Sequence, residues 1–448
     1  MRIVLPLAAT LMAGAALAGC SKSDSFDRSS QMGANPVLPI PRQYLLPPMH
    51  VARAVGWVRG AAPTVPTGFT IKPLATGLEH PRQIYVMPDG DELVVESSGP
   101  GVEPVERPKD LIMGWVQGYA GSSAKGGNRI TLLRDTNGDG VPDVRTVFVD
   151  HLVSPFGVAL VGNDLYVADT DALLRFPYQA GQTRITAPGV RLLDLPGGPI
   201  DHHWTKSLVA SPDGKLLYVG VGSNSNVTEN GAAAERERAA VWEVDRETGR
   251  YRIFASGIRN PTGLGFEPTT KQLWAVANER DELGPDLVPD YLTSVKDGAF
   301  YGWPYSYYGQ HVDPRVRPQR PDMVARAISP DYALSSHVAV LSVAFSQSPL
   351  LSGYAAGAFM GEHGSWDRDQ YNGYQVVYLP FRAGRPVGKP KPFVTGFIDA
   401  KGQAQGRPVG VAIDKAGALL VADDLGDTVW RVTPATRTAN VTRRPTGG

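Results

Sequence analysis

The sequence predicts an all-β protein, and most specifically a six-bladed β-propeller. Three observations lead to this prediction. A hairpin pattern repeats along the chain, the 448 residues include 50 glycines and 38 prolines, and the chain exceeds the size of one ordinary core. Glycine and proline supply the tight turns that many short strands need. A propeller can grow to this size because each blade packs only on its neighbours.

The repeated unit is an apolar strand, a turn with Asp or Gly, and a second strand of the type LYVAD. The turns carry the residues that tight β connections need. Copies of the unit occupy residues 80–99, 154–176, 203–223, 260–279, 339–366 and 407–432. Their spacing, roughly 50 to 80 residues, suits four strands per blade. A seven-bladed ring is the alternative, if a degenerate blade lies within 100–150 or 300–335.

The residues just before each copy are expected to converge on one site. In a propeller the innermost strands begin at the same end of the central channel. In chain order these residues are 80–82 (HPR), 154–156 (SPF), 202–204 (HHW), 259–261 (RNP), 336–337 (SH) and 406–408 (GRP). Most of them are basic or polar, which favours a pocket for an anionic, planar or oxygen-rich ligand.

The N-terminus, MRIVLPLAATLMAGAALAGC, reads as a secretory signal over residues 1–20, because its apolar run is too short to span a membrane. Its end resembles a lipobox, and Cys20 is the only cysteine of the chain. We therefore expect a periplasm-facing lipoprotein anchored at Cys20. Ser21 favours the outer membrane by the same resemblance. The alternative is an ordinary cleaved signal with an unrelated cysteine.

The rest of the chain divides into three predicted regions. Residues 21–66 are polar or proline-rich and predict a flexible tether. The propeller is expected over residues 67–436, and a disordered tail over 437–448. The chain carries 44 basic and 44 acidic residues, a balance that argues against a nucleic acid partner.

Several segments resemble the soluble pyrroloquinoline quinone (PQQ) dependent sugar dehydrogenases, and more closely their sorbosone dehydrogenase branch. They are HHWTKSLVASPDGKLLYVGVGSNSN, GIRNPTGLGFEP, NERDELGPDLVPDYL, GAFYGWPYSYYG, GEHGSWDR and GRPVGVAI. The resemblance covers roughly residues 67–435 and implies a six-bladed propeller that binds PQQ and calcium (Ca²⁺). It further implies oxidation of a sugar or sugar aldehyde, of the L-sorbosone or aldose type, and electron transfer to a respiratory acceptor.

The same resemblance assigns the catalytic base to His203. An imidazole there can take the proton of a substrate hydroxyl while hydride goes to the quinone. His202 would orient the base or line the pocket. Arg259 would stabilise negative charge that develops on the quinone, and Asn260 would hold the same edge of the cofactor. The alternatives are that the histidines only cap a hairpin and that Arg259 pairs with a carboxylate such as Glu279.

Other cofactor contacts follow from the resemblance with one departure. Arg407 matches a family arginine that binds a cofactor carboxylate, a contact for which arginine is well suited. The family's lysine on the fifth blade is not evident, and His363 and Arg368 are offered in its place. Trp204, beside the proposed base, is a candidate to stack on the ligand.

The metal site is the second departure. In the sugar dehydrogenases a Gly-Pro pair supplies carbonyls to calcium, whereas here Asp281 falls at that place. Carboxylate oxygens suit calcium equally well, which makes Asp281, Asp286 and Asp290 candidate ligands. The alternative is an acidic surface loop.

A second calcium signal is the stretch DTNGDGVPD, which places oxygen side chains at Asp135, Asn137, Asp139 and Asp143. This pattern matches the first half of an EF-hand loop. The twelfth position lacks a Glu, and the flanking segments read as strands rather than helices. The alternative is an Asx-rich β-turn, and any ion here would be structural.

Two other function classes remain open at this point. The altered metal stretch and the missing lysine favour a non-redox propeller lipoprotein that binds a carbohydrate or a protein. A metal-dependent lactonase or esterase is the other alternative, although the mostly basic ring of side chains argues against it.

Overall fold

The structure is a computed structural model, and it describes residues 26–44, 48–101, 114–116, 118–121, 125–198 and 200–435. It consists mainly of six antiparallel sheets, each built largely from consecutive strands. These sheets form the blades of a propeller, so the predicted fold is confirmed. Within the described part, no helix is long and apolar enough to cross a membrane. The predicted signal with Cys20 and the predicted tail at 437–448 lie outside the described residues.

A 3-10 turn at Arg28–Gln31 and two strands, β1 (Arg53–Ala54) and β2 (Phe69–Thr76), precede the first three blades. In each blade the strands are given from the channel outwards. Blade 1 contains β3 (Pro81–Val86), β4 (Glu92–Glu96), β5 (Arg129–Arg134) and β6 (Val144–Val149). Blade 2 contains β7 (Gly157–Val161), β8 (Asp164–Ala168), β9 (Ala172–Pro177) and β10 (Val190–Asp194). Blade 3 contains β11 (Lys206–Ala210), β12 (Leu216–Val221), β13 (Ala240–Asp245) and β14 (Tyr251–Ser256).

Blades 4 to 6 follow the same plan with short additions. Blade 4 contains β15 (Asn260–Phe266), β16 (Leu273–Asn278), β17 (Pro289–Ser294) and β20 (Tyr332–Ser336). Before β20 come a hairpin of β18 (Ser306–Tyr307) and β19 (His311–Val312) and the helix α1 (Pro321–Arg326). Blade 5 contains β21 (Val340–Ser346), β22 (Gly357–Glu362) and β23 (Gln375–Arg382), with β24 (Arg385–Pro386) and β25 (Lys391–Val394) beside β23. Blade 6 contains β27 (Pro408–Ile413), β28 (Leu419–Asp423) and β29 (Thr428–Pro434), with β2 as its outermost strand.

Each sequence repeat corresponds to the inner hairpin of one blade. The two regions considered for a seventh blade are used otherwise. Residues 129–149 form the outer strands of blade 1, and residues 306–336 supply the short hairpin, α1 and the outermost strand of blade 4. The described residues therefore form a ring of six blades.

Apolar side chains fill the space between the faces of adjacent blades. One cluster joins Trp274 and Val276 of blade 4 to Ala358, Met360 and Val377 of blade 5, all nearly inaccessible to solvent. Burial between flat sheets explains why the strands read as alternating or continuous apolar runs.

The innermost strands of neighbouring blades are joined by a repeated hydrogen bond. In three successive junctions a hydroxyl group donates to a backbone carbonyl of the next blade. The pairs are Ser207 Oγ to Pro261 O at 2.7 Å, Thr262 Oγ1 to Val340 O at 2.7 Å and Ser342 Oγ to Val409 O at 2.6 Å. Each bond gives a hydrogen-bond partner to a carbonyl that lies between adjacent sheets.

The chain direction places long loops at one end of the channel, called here the top face. Innermost strands start at this face and second strands return to it, because adjacent strands are antiparallel. The connections that follow the second strands of blades 3, 4 and 5 therefore lie there, over residues 222–239, 279–288 and 363–374.

Residues 26–44 and 48–57, called here the N-terminal strap, lie against loops of the top face. Strand β1 of the strap pairs in parallel with β26 (Gln403–Ala404). Further hydrogen bonds join Arg28 Nε to Asp286 Oδ1 at 2.8 Å, Arg42 N to Leu283 O at 2.9 Å and Trp57 Nε1 to Asp423 Oδ2 at 2.6 Å. The strap differs from the flexible tether predicted for residues 21–66, because its polar groups bond to blade loops instead of water.

Candidate functional site

Side chains from four blades meet at the top face of the channel. Arg82 of β3 places Nη1 2.5 Å from Asp424 Oδ2, beyond the end of β28. The same guanidinium lies 5.7 Å from the ring centroid of Trp204, just before β11. Trp204 also packs edge-on against Phe156, before β7. The segments that precede the innermost strands therefore converge, as their positions in the repeat indicate.

Backbone strain occurs in the turns into these strands. His80, Ser154 and His337 have positive φ angles of 59°, 47° and 60°. Non-glycine residues adopt this region at a cost, and such residues concentrate at functional sites. The strain marks the top end of the channel as a place to look for chemistry.

His203 has one ring nitrogen fixed by a hydrogen bond. Nδ1 lies 2.9 Å from both the carbonyl O and the Oγ of Ser223. The Ser223 hydroxyl donates its own hydrogen to Ser225 O at 2.6 Å, so its oxygen accepts at His203. Nδ1 must then carry the proton, and Nε2 has a lone pair. Among the described residues, none forms a hydrogen bond with Nε2, whereas the neighbouring His202 side chain is exposed.

The surroundings of His203 keep its imidazole neutral. Burial lowers its pKa well below the ordinary 6.5, and the positive charge of Arg259 lowers it further. A neutral imidazole with a lone pair at Nε2 is the form that accepts a proton. The base form of His203 is therefore present at neutral pH and into the acid range.

Asn260 lies beside His203, with only a glycine between them. A Cβ added at Gly222 would stand 2.4 Å from His203 Cβ and 2.6 Å from Asn260 Oδ1. Such distances are too short for any side chain, so glycine is required there for the close approach. Asn260 Oδ1 is buried and, among the described residues, has no hydrogen-bond partner.

Arg259 is held rigidly by the neighbouring loops. Its Nη1 donates to the backbone O of Glu279 at 2.7 Å, and its Nη2 donates to Asn226 Oδ1 at 2.9 Å. Nη2 also lies 3.3 Å from Asp281 Oδ2. Arg259 thus pairs with a carboxylate, as the alternative interpretation proposed, but with Asp281 and not with Glu279.

Asp281, His337 and Asp367 form the one group of at least three potential metal-ligating residues within the described ranges. Their ligand atoms all lie within 4.8 Å of one another. His337 Nδ1 is 3.2 Å from Asp281 Oδ1, while Nε2 lies 3.3 Å from Gly284 O. Nδ1–H can donate to Asp281, and a cation that displaces this proton would bind Nδ1 while Nε2–H stays fixed on Gly284 O, the kind of outer contact that orients metal-binding histidines.

The charges of this cluster are strongly coupled. Burial acts to lower the pKa of His337, but the hydrogen bond and the charge of Asp281 outweigh it and raise the pKa above 6.5. Burial raises the pKa of Asp367. Asp367 Oδ1 is buried and, in the described part of the chain, has no hydrogen-bond partner. A cation between the carboxylates would neutralise them and give this oxygen a partner.

Two of the three predicted ligands, Asp286 and Asp290, have other roles. Asp286 pairs with Arg28 of the strap at 2.8 Å and lies 3.5 Å from Arg368. Asp290 accepts backbone hydrogen bonds from Glu279 and Ala339, and burial raises its pKa to about 7. The structure thus brings Asp281 together with residues of other loops. Asp367 was missed as a ligand, although it lies in the quoted segment GEHGSWDR.

The predicted cofactor contact Arg368 is engaged with protein carbonyls. Its Nη1 donates to Ser336 O at 2.8 Å and to Pro285 O at 3.3 Å. Burial lowers its pKa to about 10. Arg368 therefore holds loops of blades 4 and 5 beside the strap, and its contact with a cofactor carboxylate stays a prediction.

A second charged group surrounds Asp424. His363 Nε2 is 3.0 Å and His80 Nε2 3.4 Å from its carboxylate, which Arg82 also contacts. Burial lowers the pKa of His363 to about 4, and the charges of Arg407 and Arg82 add to this effect. Arg407 lies with Cζ 5.5 Å from the ring centroid of Tyr374. The charge of Arg407 thus acts on His363, and the contacts of both residues with a cofactor stay predictions.

The stretch that resembles half an EF-hand is closed by its own hydrogen bonds. Asp135 accepts from the backbone of Gly138 and Gly140, and Asn137 accepts from Asp139. Asp139 accepts from Val141, and Asp143 accepts from Thr136. No three of its carboxylates form a ligand group in the described structure. These hydrogen bonds are those of an Asx-rich turn between β5 and β6, and the calcium site at this loop stays a prediction.

Comparison with known proteins places the chain in a family. A family model described as TrAA12-like matches residues 123–289 and 317–435, which is more than half of the chain. The chain belongs to the TrAA12-like family. An uncharacterized protein of Borreliella burgdorferi is 28% identical over 241 residues, and one of Synechocystis is 26% identical over 303 residues. These matches cover 53% and 56% of this chain and only 62% and 64% of the two relatives.

Solved structures share the fold at low identity. The holo PQQ domain of pyranose dehydrogenase from Coprinopsis cinerea is 19% identical with a TM-score of 0.67, covering 86% of this chain and 100% of that one. The calcium structure of the family AA12 enzyme from Trichoderma reesei is 18% identical with a TM-score of 0.66, over 87% and 99%. The apo aldose sugar dehydrogenase from Escherichia coli is 16% identical with a TM-score of 0.55, over 82% and 100%. These likenesses support the propeller architecture.

Proposed function

We propose that this protein is an oxidoreductase that uses PQQ and calcium to oxidise a sugar or sugar aldehyde, with L-sorbosone and aldoses as the first candidates. The observation that carries the proposal is the tautomer of His203, which presents a lone pair beside Arg259 and Asn260. Family membership and the PQQ-binding and sugar dehydrogenase neighbours support the same chemistry.

The reaction requires removal of a proton and a hydride from one carbinol group. His203 Nε2 takes the hydroxyl proton as the O–H bond breaks. The Ser223 carbonyl, which already accepts from Nδ1–H, stabilises the positive charge that the imidazole acquires. When bound, PQQ supplies the acceptor for the hydride of the breaking C–H bond. Arg259, fixed by three hydrogen bonds, contributes positive charge without reorganisation.

The residues present fit such a cofactor. PQQ carries carboxylates and carbonyl oxygens, which match a site lined by Arg82, Arg259 and Arg407. Buried polar atoms without partners among the described residues, Asn260 Oδ1 and Arg82 Nε, supply further polar contact. Trp204 adds an aromatic face beside Arg82.

The cation would be held by Asp281 and Asp367, with His337 as a third ligand. Calcium prefers oxygen ligands, which the two carboxylates supply. Carboxylates also suit manganese, whereas the imidazole is more typical of sites for zinc. Calcium, manganese and zinc should be compared in one titration, because a site of two carboxylates and an imidazole differs from a calcium site made of backbone carbonyls.

The decisive experiment uses the protein from Ser21 onwards, stripped by a chelator. PQQ is added with or without calcium, manganese or zinc, and dye reduction is recorded with L-sorbosone and a panel of aldoses. We expect saturable, cation-dependent quinone absorption and substrate-driven dye reduction. Absence of quinone binding under every condition would refute the proposal and favour the non-redox binding propeller.

A second candidate is a metal-dependent lactonase or esterase, which the Asp281–His337–Asp367 cluster favours. Such an enzyme needs a cation and no quinone. Hydrolysis of sugar lactones by the calcium-loaded protein without PQQ would support this candidate. Equal rates of hydrolysis in the wild type and in Asp281→Asn would exclude a lactonase or esterase that uses this cluster.

We also propose that the protein is anchored by a lipid at Cys20 on the periplasmic side of the outer membrane and donates electrons to a respiratory acceptor. The support is the lipobox-like sequence alone. Detergent phase partition of the wild type and of Cys20→Ser tests the anchor. A Cys20→Ser protein that still enters the detergent phase would refute it.

A further inference from the structure

Two exposed aromatic side chains form a stacked pair in the connection between β4 and β5. Trp115 and Tyr119 are 71% and 42% exposed, and their ring centroids are 5.7 Å apart with an interplanar angle of 22°. Their neighbours Val116 and Ala120 are each only 6% exposed. Val116 and Ala120 thus pack this segment against the protein, whereas the two aromatic rings face solvent.

This connection leaves the propeller at the top face, because β4 ends there and β5 begins there. A Cβ added at Gly121 would meet Ala54 of the strap and Leu425 of the loop after β28. The aromatic pair therefore lies next to the strap and to blade 6, on the same face as His203 and Asp424.

Two further tyrosines lie in the top-face loop that follows β22. The Tyr371 ring lies 6.0 Å from that of Tyr374, which is covered by the Arg407 guanidinium at 5.5 Å. Aromatic side chains thus lie beside a proposed cofactor contact on the same face as the exposed pair.

The surface beside the pair is uncrowded. Gly114 precedes Trp115 and Gly118 precedes Tyr119, and a Cβ added at either glycine would meet no atom within 4 Å. Flat rings with a polar edge suit the alternating C–H faces and hydroxyl edges of sugars. A specific protein partner needs about 800 Å² of surface on each side. Two ring faces are small for that purpose but match one or two sugar units.

We propose that Trp115 and Tyr119 form a stacking platform for a saccharide chain whose end reaches the channel. This inference rests on the proposed function and names its substrate class as an oligosaccharide longer than the sugar unit at His203. The platform binds distant units by stacking, and its place beside the strap and blade 6 sets it on the face where the channel opens.

Calorimetric titration of the PQQ-free protein with cellohexaose, maltohexaose and xylohexaose tests the platform. We expect one of these probes to bind, and Trp115→Ala or Tyr119→Ala to weaken it about tenfold. The control is Tyr251→Ala on the outermost strand of blade 3, since Tyr251 is also 42% exposed and stacked on a tryptophan. This control variant should bind as the wild type does.

Three results would overturn the platform. They are no binding of any hexasaccharide by the wild type, equal binding by Trp115→Ala, or equal losses in Trp115→Ala and Tyr251→Ala. A Trp115→Ala protein that binds saccharide normally but reduces a protein electron acceptor more slowly than a small dye would assign the surface to a protein partner instead.

Kinetics with the PQQ-loaded protein separate this inference from the proposed function. Trp115→Ala should raise KM for the bound hexasaccharide and leave KM for its monosaccharide unchanged. Saccharide binding through Trp115 without any dye reduction would refute the oxidoreductase and retain the platform. Dye reduction with monosaccharides, without any saccharide binding that depends on Trp115, would retain the oxidoreductase and refute the platform.

Discussion

Gly222→Ala tests whether the contact between His203 and Asn260 is needed for activity. The new Cβ would lie 2.4 Å from His203 Cβ, whereas carbon atoms in contact stand about 3.5–4.0 Å apart. His203 must then move by about 1 Å, a displacement that can cost about a hundredfold in rate. The same crowding should destabilise the fold by about 1–3 kcal/mol.

The assay is kcat/KM for dye reduction with the best substrate, together with urea unfolding at the same temperature. Gly265→Ala, on the innermost strand of blade 4, is the matched control, because its added Cβ would be 3.4 Å from Phe345 of blade 5, an ordinary contact. We expect a large loss of kcat/KM for Gly222→Ala and little change for the control. A folded Gly222→Ala protein with wild-type kcat/KM would refute the role given to His203.

Three further predictions concern pH, the cation and the packing of the blades. Because the pKa of His203 is lowered below 6.5, kcat/KM should stay level at pH 6.5 and fall only at more acid pH. A pH profile of kcat/KM with its midpoint at 6.5 or above would contradict this, as would the same loss of kcat/KM at acid pH in His203→Gln. Asp367→Asn should weaken calcium binding, measured by calorimetry, at least about tenfold. Asp286→Asn should leave calcium binding unchanged, because it removes only an ion pair. A larger loss of calcium affinity in Asp286→Asn than in Asp367→Asn would favour the ligands predicted from chain proximity. Ser342→Ala leaves two buried backbone groups without their hydrogen bonds and should lower the free energy of unfolding by about 1–3 kcal/mol, with kcat unchanged; equal urea midpoints would show that this hydroxyl does not stabilise the junction.

The architecture could be predicted because its signals are local. Each inner hairpin combines apolar strands with turn residues inside about 20 residues, and such patterns survive without knowledge of the rest of the fold. The outer strands carry weaker signals, since one of their edges faces solvent. Residues 129–149 and 306–336 therefore left a seventh blade open, until the structure assigned their strands to blades 1 and 4.

The site could be predicted only in part, because its members come from different blades. His203 and Asn260 precede or begin innermost strands, so the repeat indicates that they converge. Asp367 lies in the loop after the second strand of blade 5, and no spacing along the chain relates it to Asp281. Chain proximity favoured Asp286, whose carboxylate pairs with Arg28 of a strap that sequence composition described as a tether.

The EF-hand-like loop shows the same limit in a local pattern. Asp135 and Asn137 could bind an ion or accept hydrogen bonds from their own turn, since both uses need oxygen atoms at alternate positions. In the structure the backbone of the turn takes these oxygens. Composition cannot separate the two, because the choice depends on backbone angles within the turn.

The pairing of β2 with β29 closes the ring of blades. Phe69 of β2 faces Pro434 of β29, so the sixth sheet joins the strand that precedes blade 1 to the last strand of blade 6. Until β29 has been made, β2 lacks the partner strand that satisfies its backbone donors and acceptors. During that interval the unfinished ring offers a free strand edge, which can pair with a wrong strand. Closure of the propeller therefore waits for the seven residues of β29, which convert an open arc of blades into a ring.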